Sequence, residues 1–333
     1  MSGRESSTLP HILFFNFCLS IHEMLNLAVS ITLFTILSGV IAMPFNQLVK
    51  TFPRDVAHIA IDDSGSYYLA FDRNGTLYGT YPVGVESNNL ERRSATRCAQ
   101  LTVDEAKTLP GWSTIEKQAN DNWGSGYNIW TNPSAFLDRP AQACITTEVV
   151  QLTLGDWICN NHTTYTEGQL VGTNGSIQIQ NQQGSDSSGS YTISSASTIG
   201  VSSTLTAEIG IPEVVSITAG VTTSADVTDE TSSSFDTSYN DITSNTVTID
   251  ASDGQTCTVE TTTETCHNQA SGNIRYLATG WVWFSYGSRR QGHFDWAINI
   301  ESTITDEDGR SSFANFEGDT VANTISGYSA TCV

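Results

Sequence analysis

Between residues 193 and 228 the chain alternates apolar and polar side chains almost without fault, in two stretches divided by Pro212 and Glu213. On the first limb Ile199, Val201, Leu205, Ile209 and Ile211 fall at odd positions, and Ser202, Thr204, Thr206 and Glu208 at even ones. On the second, Val215, Ile217, Val221 and Val227 alternate with Thr218, Thr222, Ser224 and Asp226. A period of two sends successive side chains to opposite faces of a strand, so each limb has one apolar and one small, hydroxylic face. The polar face carries no Lys or Arg. This pattern predicts a hairpin over 193–228 whose strands suit the wall of a water-filled barrel. Residues 199–211 and 215–227 each slightly exceed the roughly 9 to 11 residues that a tilted membrane strand needs. The same period also serves a hairpin of a soluble β-protein, with one face on a core and one in water.

Elsewhere the pattern is strands rich in Thr, Val, Ser and Ile punctuated by Gly and Asn turns, which predicts an all-β protein. One helix is predicted, over residues 102–109, with Asp104 and Glu105 near its start. Residues 59–61 and 67–71, with a turn at Asn74-Gly75, predict a small sheet of its own near the N-terminus. A dibasic pair, Arg92-Arg93, follows in a polar stretch from 86 to 96, and every cysteine except Cys18 lies after it. Residues 43–93 are therefore either a propeptide released by a processing protease or a retained N-terminal domain.

The leader sets the compartment. Residues 25–42 form a short apolar run ending in Val40-Ile41-Ala42, so residues 1–42 read as a signal peptide, with Met24 an alternative start. A membrane anchor is the rival, but the run lacks a charged stop-transfer flank. Sequons at Asn74, Asn161 and Asn174 fit a secreted, extracellular glycoprotein. Beyond the leader, Cys98, Cys144, Cys159, Cys257, Cys266 and Cys332 form an even set that predicts three disulfides. Of the connectivities, Cys257 with Cys266 is the expected pair, flanking a short Thr/Glu-rich turn.

Charge narrows the partners. The chain has 35 acidic and 14 basic residues, net −21, which excludes a nucleic-acid partner and docking to anionic lipid by charge alone. An enzyme is not indicated: the histidines are scattered, and neither an HExxH nor a GxSxG motif occurs. No cofactor or metal is implied. Asp306-Glu307-Asp308-Gly309 lacks the spacing of a calcium loop and reads as a hairpin turn. Between Trp112 and Trp130, Trp123, Tyr127 and Trp130 sit in a loop-like, Gly- and Asn-rich run. They are candidate receptor contacts, with burial in a small disulfide-tied core the alternative.

Residues 196–309 resemble the aerolysin-like β-pore-forming toxins, especially their epsilon-toxin/Mtx2 branch. The likeness rests on the Thr/Ser hairpin with its Pro-bearing apolar tip, on the Ser/Thr tract from Glu230, on strands at 245–250 and 257–260, and on 271–283 as the strand that follows. It departs in residues 249–252, which replace the family's usual Pro, and in the additional Cys257 and Cys266. The resemblance implies an elongated module of long antiparallel strands over 181–333, with 94–180 a disulfide-tied head. It also implies a target-cell membrane and an unknown surface receptor as partners, and a homo-oligomeric ring, heptameric in many members. Each protomer would insert one hairpin, with Ile199, Val201, Leu205, Ile209, Ile211, Val215, Ile217, Val221 and Val227 facing lipid. Ser202, Thr204, Thr206, Glu208, Thr218, Thr222, Ser224 and Asp226 would face the lumen. The competing expectation is a secreted, lectin-like carbohydrate-binding β-protein without pore activity.

Overall fold

The computed structural model describes residues 52–53, 55–84, 97–211 and 220–333, all within one compact unit, Lys50–Val333. The leader, the Arg92-Arg93 pair and the hairpin tip with Val215, Ile217 and Thr218 lie outside the described residues.

Strands dominate. In chain order they begin with β1 (His58–Ile61), β2 (Tyr67–Phe71), β3 (Leu77–Pro82) and β4 (Cys98–Gln100). Two helices follow, α1 (Val103–Lys107) and α2 (Trp112–Trp123), then β5 (Tyr127–Trp130), β6 (Ala141–Ile145), β7 (Val150–Gln151), β8 (Thr153–Leu154), β9 (Ile158–Gln169) and β10 (Gly175–Ser195). The hairpin is β11 (Thr204–Ile211) and β12 (Val221–Thr228), followed by β13 (Ser234–Asn240), β14 (Thr243–Ala251), β15 (Thr256–Arg290) and β16 (His293–Asn299). A short helix, α3 (Ile300–Thr303), leads to β17 (Ser311–Cys332).

One sheet runs β13-β10-β17-β15-β16-β1-β2-β3 with branches, and a separate three-stranded sheet runs β12-β11-β7. The 35-residue β15 is common to most of the first sheet. Its first part lies between β9 and β17, and its last part between β5 and β16. The alternation of β17 shows why these segments are strands: Ala314, Phe316, Thr320, Ala322 and Thr324 are buried while Phe313, Asn315, Glu317 and Asp319 are exposed. The buried Thr320 spends its hydroxyl on Tyr191 Oη at 2.9 Å, as a buried polar group must. β10 changes partners at Gly184, pairing with β14 over 175–183 and with β17 beyond. Gly184 has φ 132°, and a Cβ there would lie 2.6 Å from Asp241 O, so the swivel admits only glycine.

Several expectations are corrected. Residues 257–260 and 271–283 are parts of the single strand β15, because the Thr-rich stretch between them pairs with β9 and β17 instead of turning. Cys257 and Cys266 therefore sit on one extended strand and cannot meet. The bridges are Cys98–Cys144, Cys159–Cys266 and Cys257–Cys332, each joining residues directly opposite on neighbouring strands.

The N-terminal strands are not a sheet of their own. β1 pairs with β16 over His58–Ala60, and Ile59, Tyr68 and Ala70 pack with Trp281 and Trp283. Phe136 stacks on Trp283 at 4.5 Å, closing this aromatic layer. Residues 306–309 do not form a hairpin turn. They lead into a 3-10 turn, Asp308–Arg310, and Glu307 and Asp308 accept from Arg275 at 3.2 and 2.9 Å.

Candidate membrane-inserting hairpin

β11 and β12 pair antiparallel from Thr204 opposite Thr228 to Ile211 opposite Val221. The predicted alternation becomes two physical faces. Leu205, Ala207, Ile209 and Ile211 on β11, with Ala225 and Val227 on β12, are all at most 5% exposed. Most join the core cluster that holds Ile145, Leu152, Ile274 and Phe316. At about 1.5–3 kcal/mol per fully buried aliphatic side chain, Leu205, Ile209, Ile211 and Val227 contribute on the order of 6–12 kcal/mol of gross stabilisation to docking. That is an upper figure, since the reference chain is more compact than an extended one.

The other face is a ladder of short polar side chains. Thr204 and Thr228 hydroxyls meet at 2.8 Å, Thr206 Oγ1 donates to Asp226 Oδ1 at 2.9 Å, and Ser224 Oγ donates to Glu208 at 3.1 Å. Thr222, Ser224 and Asp226 are exposed, and Thr206 and Glu208 half-buried. Arg97, the residue before β4, closes on Glu208 at 2.7 Å. Both side chains are 25% exposed, so the pair is worth no more than about 1 kcal/mol after screening.

Little backbone holds the hairpin to its surroundings. Among the described residues its ladder to the rest of the structure is the parallel bridge of Ile209 and Gly210 with Val150 and Gln151 on β7. At the base, Ser202 N donates to Asp229 O at 3.0 Å and Asp229 N to Ser203 O at 3.2 Å. The expected long first limb is interrupted there. Residues 196–203 turn back with Gly200 at φ 74° and Ser202 at φ 60°, so β11 starts at Thr204. A side chain at Gly200 would press on the Tyr276 ring 3.2 Å away. Ile199 is buried in this turn, whereas Val201 and Ser202 are exposed, so none of the three lies on a hairpin strand. Val221 is half-buried and packs against Ala322.

The aromatic candidates separate. Trp123 ends α2, is 5% exposed and stacks on Trp296 at 4.6 Å, so it is core and not a surface contact. Tyr127 is half-buried, edge-on to Phe284 at 4.9 Å. Trp130 is 52% exposed, on β5 opposite Trp283. The run is thus helix, short loop and strand. The helix itself was not predicted, although its buried Trp112, Ile115, Ala119 and Trp123 fall at helical spacing. The predicted helix forms as α1, with Thr102 and Glu105 making a capping box. Asn74, Asn161 and Asn174 are all exposed. Cys159, Glu264 and Cys266 cluster, but the two sulfurs are bonded to each other, which leaves no thiolate for a metal. No helix among the described residues is long and apolar enough to cross a membrane, which says nothing about strands.

No protein-family model and no curated protein matches the chain. Solved structures do. The parasporin-2 toxin of Bacillus thuringiensis, described as recognising cancer cells, is 14% identical over 71% of this chain and 97% of its own, with a TM-score of 0.36. The β-pore-forming protein Mpp75Aa1.1 of Brevibacillus laterosporus is 14% identical over 69% and 86%, with a TM-score of 0.34. A non-toxic crystal protein of Bacillus thuringiensis is 11% identical over 71% and 97%, also with a TM-score of 0.34. The chain is similar to these β-pore-forming and crystal proteins, and at these identities and scores the likeness carries no argument.

Proposed function

We propose that this chain is a secreted pore-forming protein that binds a cell surface, assembles into a ring of identical copies and releases β11–β12 from each copy into one transmembrane barrel. The observation that carries this reading is the hairpin itself. It has an apolar face broken only by Thr223 among the described residues, a polar face of short hydroxyls and carboxylates without Lys or Arg, and, among the described residues, a two-residue backbone ladder to its surroundings. A lone hairpin in hydrocarbon would leave backbone groups unpaired, so only a closed barrel built from several copies satisfies them, and assembly must come first. The docked strands are eight residues each, short of the roughly 9 to 11 needed to span. Insertion therefore also straightens residues 196–203 and recruits the tip. Rings of Glu208, freed of Arg97, and of Asp226 make the lumen negative and the pore cation-preferring.

Three disulfides and the leader suit export to an oxidising compartment. Cleavage after Arg93 leaves β1–β3 noncovalently seated on β16, so the 43–93 fragment co-purifies with the remainder until denaturant is added. Trp130 is the surviving candidate for receptor contact.

The test is dye release from liposomes and lysis of a cell panel, with SDS-resistant oligomers scored on the same samples. Gly210 is the register partner of Gln151 on β7, so Gly210→Cys with Gln151→Cys is the pair designed to bridge β11 to β7. The bridged protein binds cells and releases nothing, while the Gly210→Ser, Gln151→Ser control leaks. Leakage by the bridged protein, or glycan binding by the wild type with neither oligomer nor leakage, replaces the pore with a carbohydrate-binding protein.

A further inference from the structure

The base of the hairpin contains a buried charge. Asp229 follows β12 directly and is fully buried. Its Oδ1 accepts from the Ser197 amide at 3.0 Å, and its Oδ2 meets no donor among the described residues. Its own backbone closes the hairpin against Ser202 and Ser203. Two ionisable groups face it from neighbouring elements. Glu105, whose Oε1 holds the Val201 amide at 3.1 Å, adds a second negative charge from α1. Tyr276, from β15, presents a buried hydroxyl that has no partner either and that feels the charge of Asp229.

A buried carboxylate with half its acceptor capacity unused costs the docked state free energy that a neutral acid does not. We propose that Asp229 is a built-in release for the hairpin: as a carboxylate it loads the base of β11–β12, and protonation tightens that base. The inference rests on reading β11–β12 as the element that leaves.

The direction follows from linkage. Burial pushes the Asp229 carboxyl above its ordinary value, with Glu105 adding to the rise and the Ser197 hydrogen bonds opposing it. A group whose folded value is raised contributes stability that is complete below the unfolded value, about 4, and is lost as pH climbs through the folded one. The docked hairpin is therefore tight in acid and loaded at neutral pH, the reverse of an acid-triggered switch. Replacing the carboxylate by an amide of the same shape removes the charge at every pH.

Hydrogen exchange of peptides spanning β11 and β12, corrected for intrinsic rates, tests this on the full chain without a membrane. The wild-type hairpin is better protected at or below about pH 4, the unfolded value, than at about pH 7.5. Asp229→Asn abolishes that difference and raises neutral-pH protection by about tenfold for each pKa unit of the shift. Glu105→Gln is not an equivalent probe, because its single amide oxygen cannot accept from both Thr102 and the Val201 amide. A wild-type profile independent of pH, or faster exchange in Asp229→Asn, overturns the proposal. Should Asp229→Asn fail to fold, the wild-type pH profile alone decides. Because the readout needs no lipid, the two failures are distinguishable: absence of dye release defeats the pore reading without changing the pH-dependence of hairpin protection.

Discussion

The sheet around β15 and the hairpin β11–β12 are written in nearly the same alphabet of Thr, Ser, Val and Ala, yet they are held in opposite ways. β15 is hydrogen-bonded on both sides for most of its length and bridged covalently to β9 through Cys159–Cys266 and to β17 through Cys257–Cys332. The hairpin has no cysteine and, among the described residues, one ion pair to Arg97 and a ladder two residues wide. Composition therefore does not set which part stays and which part leaves. Connectivity does: the covalent bridges sit where strands must not separate, and the hairpin relies on reversible apolar contact.

Four changes probe this contrast. The largest effect is expected from opening the Cys159–Cys266 bridge by paired Ser substitutions. Its half-cystines are 107 residues apart, and a loop of that size is worth about 4–5 kcal/mol on the chain-entropy view. The loss appears as a lower guanidinium midpoint for the whole unit, and a midpoint that stays put removes the distinction between bridged and docked regions.

Next, Ile209→Ala cuts into the apolar face and costs about 3 kcal/mol. The cost is local, so β11 and β12 exchange faster while β15 and β17 amides keep their protection. Uniform loss across both regions would show that the hairpin is ordinary core.

Arg97→Met removes the clasp on Glu208 and loosens the hairpin by no more than about 1 kcal/mol, less in high salt, as read by limited proteolysis at two ionic strengths. Smallest, Thr204→Val with Thr228→Val replaces the outermost hydroxyl pair on the exposed face and changes stability by under about 0.5 kcal/mol. A larger loss would mean that this face is not solvated.

The hairpin was legible because alternation is a local signal that burial on one side converts directly into structure. Leu205, Ala207, Ile209 and Ile211 fall on the buried side as the pattern predicts. Its start was not legible, since Gly200 and Ser202 keep the alternation of a strand while adopting left-handed backbone. The pairing of Cys257 with Cys332 depends on the register of β15 against β17, 75 residues apart, which no local pattern encodes. α2 was readable from the spacing of Trp112, Ile115, Ala119 and Trp123, but Asn and Gly around it read as loop. Asp229 gave no signal, one acid among 35, because only burial distinguishes it.

The continuity of β15 has a mechanical consequence. A pull along its axis loads the hydrogen bonds to β9 and β17 side by side, so they share the force and yield together or not at all. A pull on the tip of β11–β12 meets its bonds one at a time, like a zipper. Load applied along β15 is carried by the ladder, whereas load applied to the hairpin peels it away at far lower force. The same chain is thus a stiff rod and a weak link.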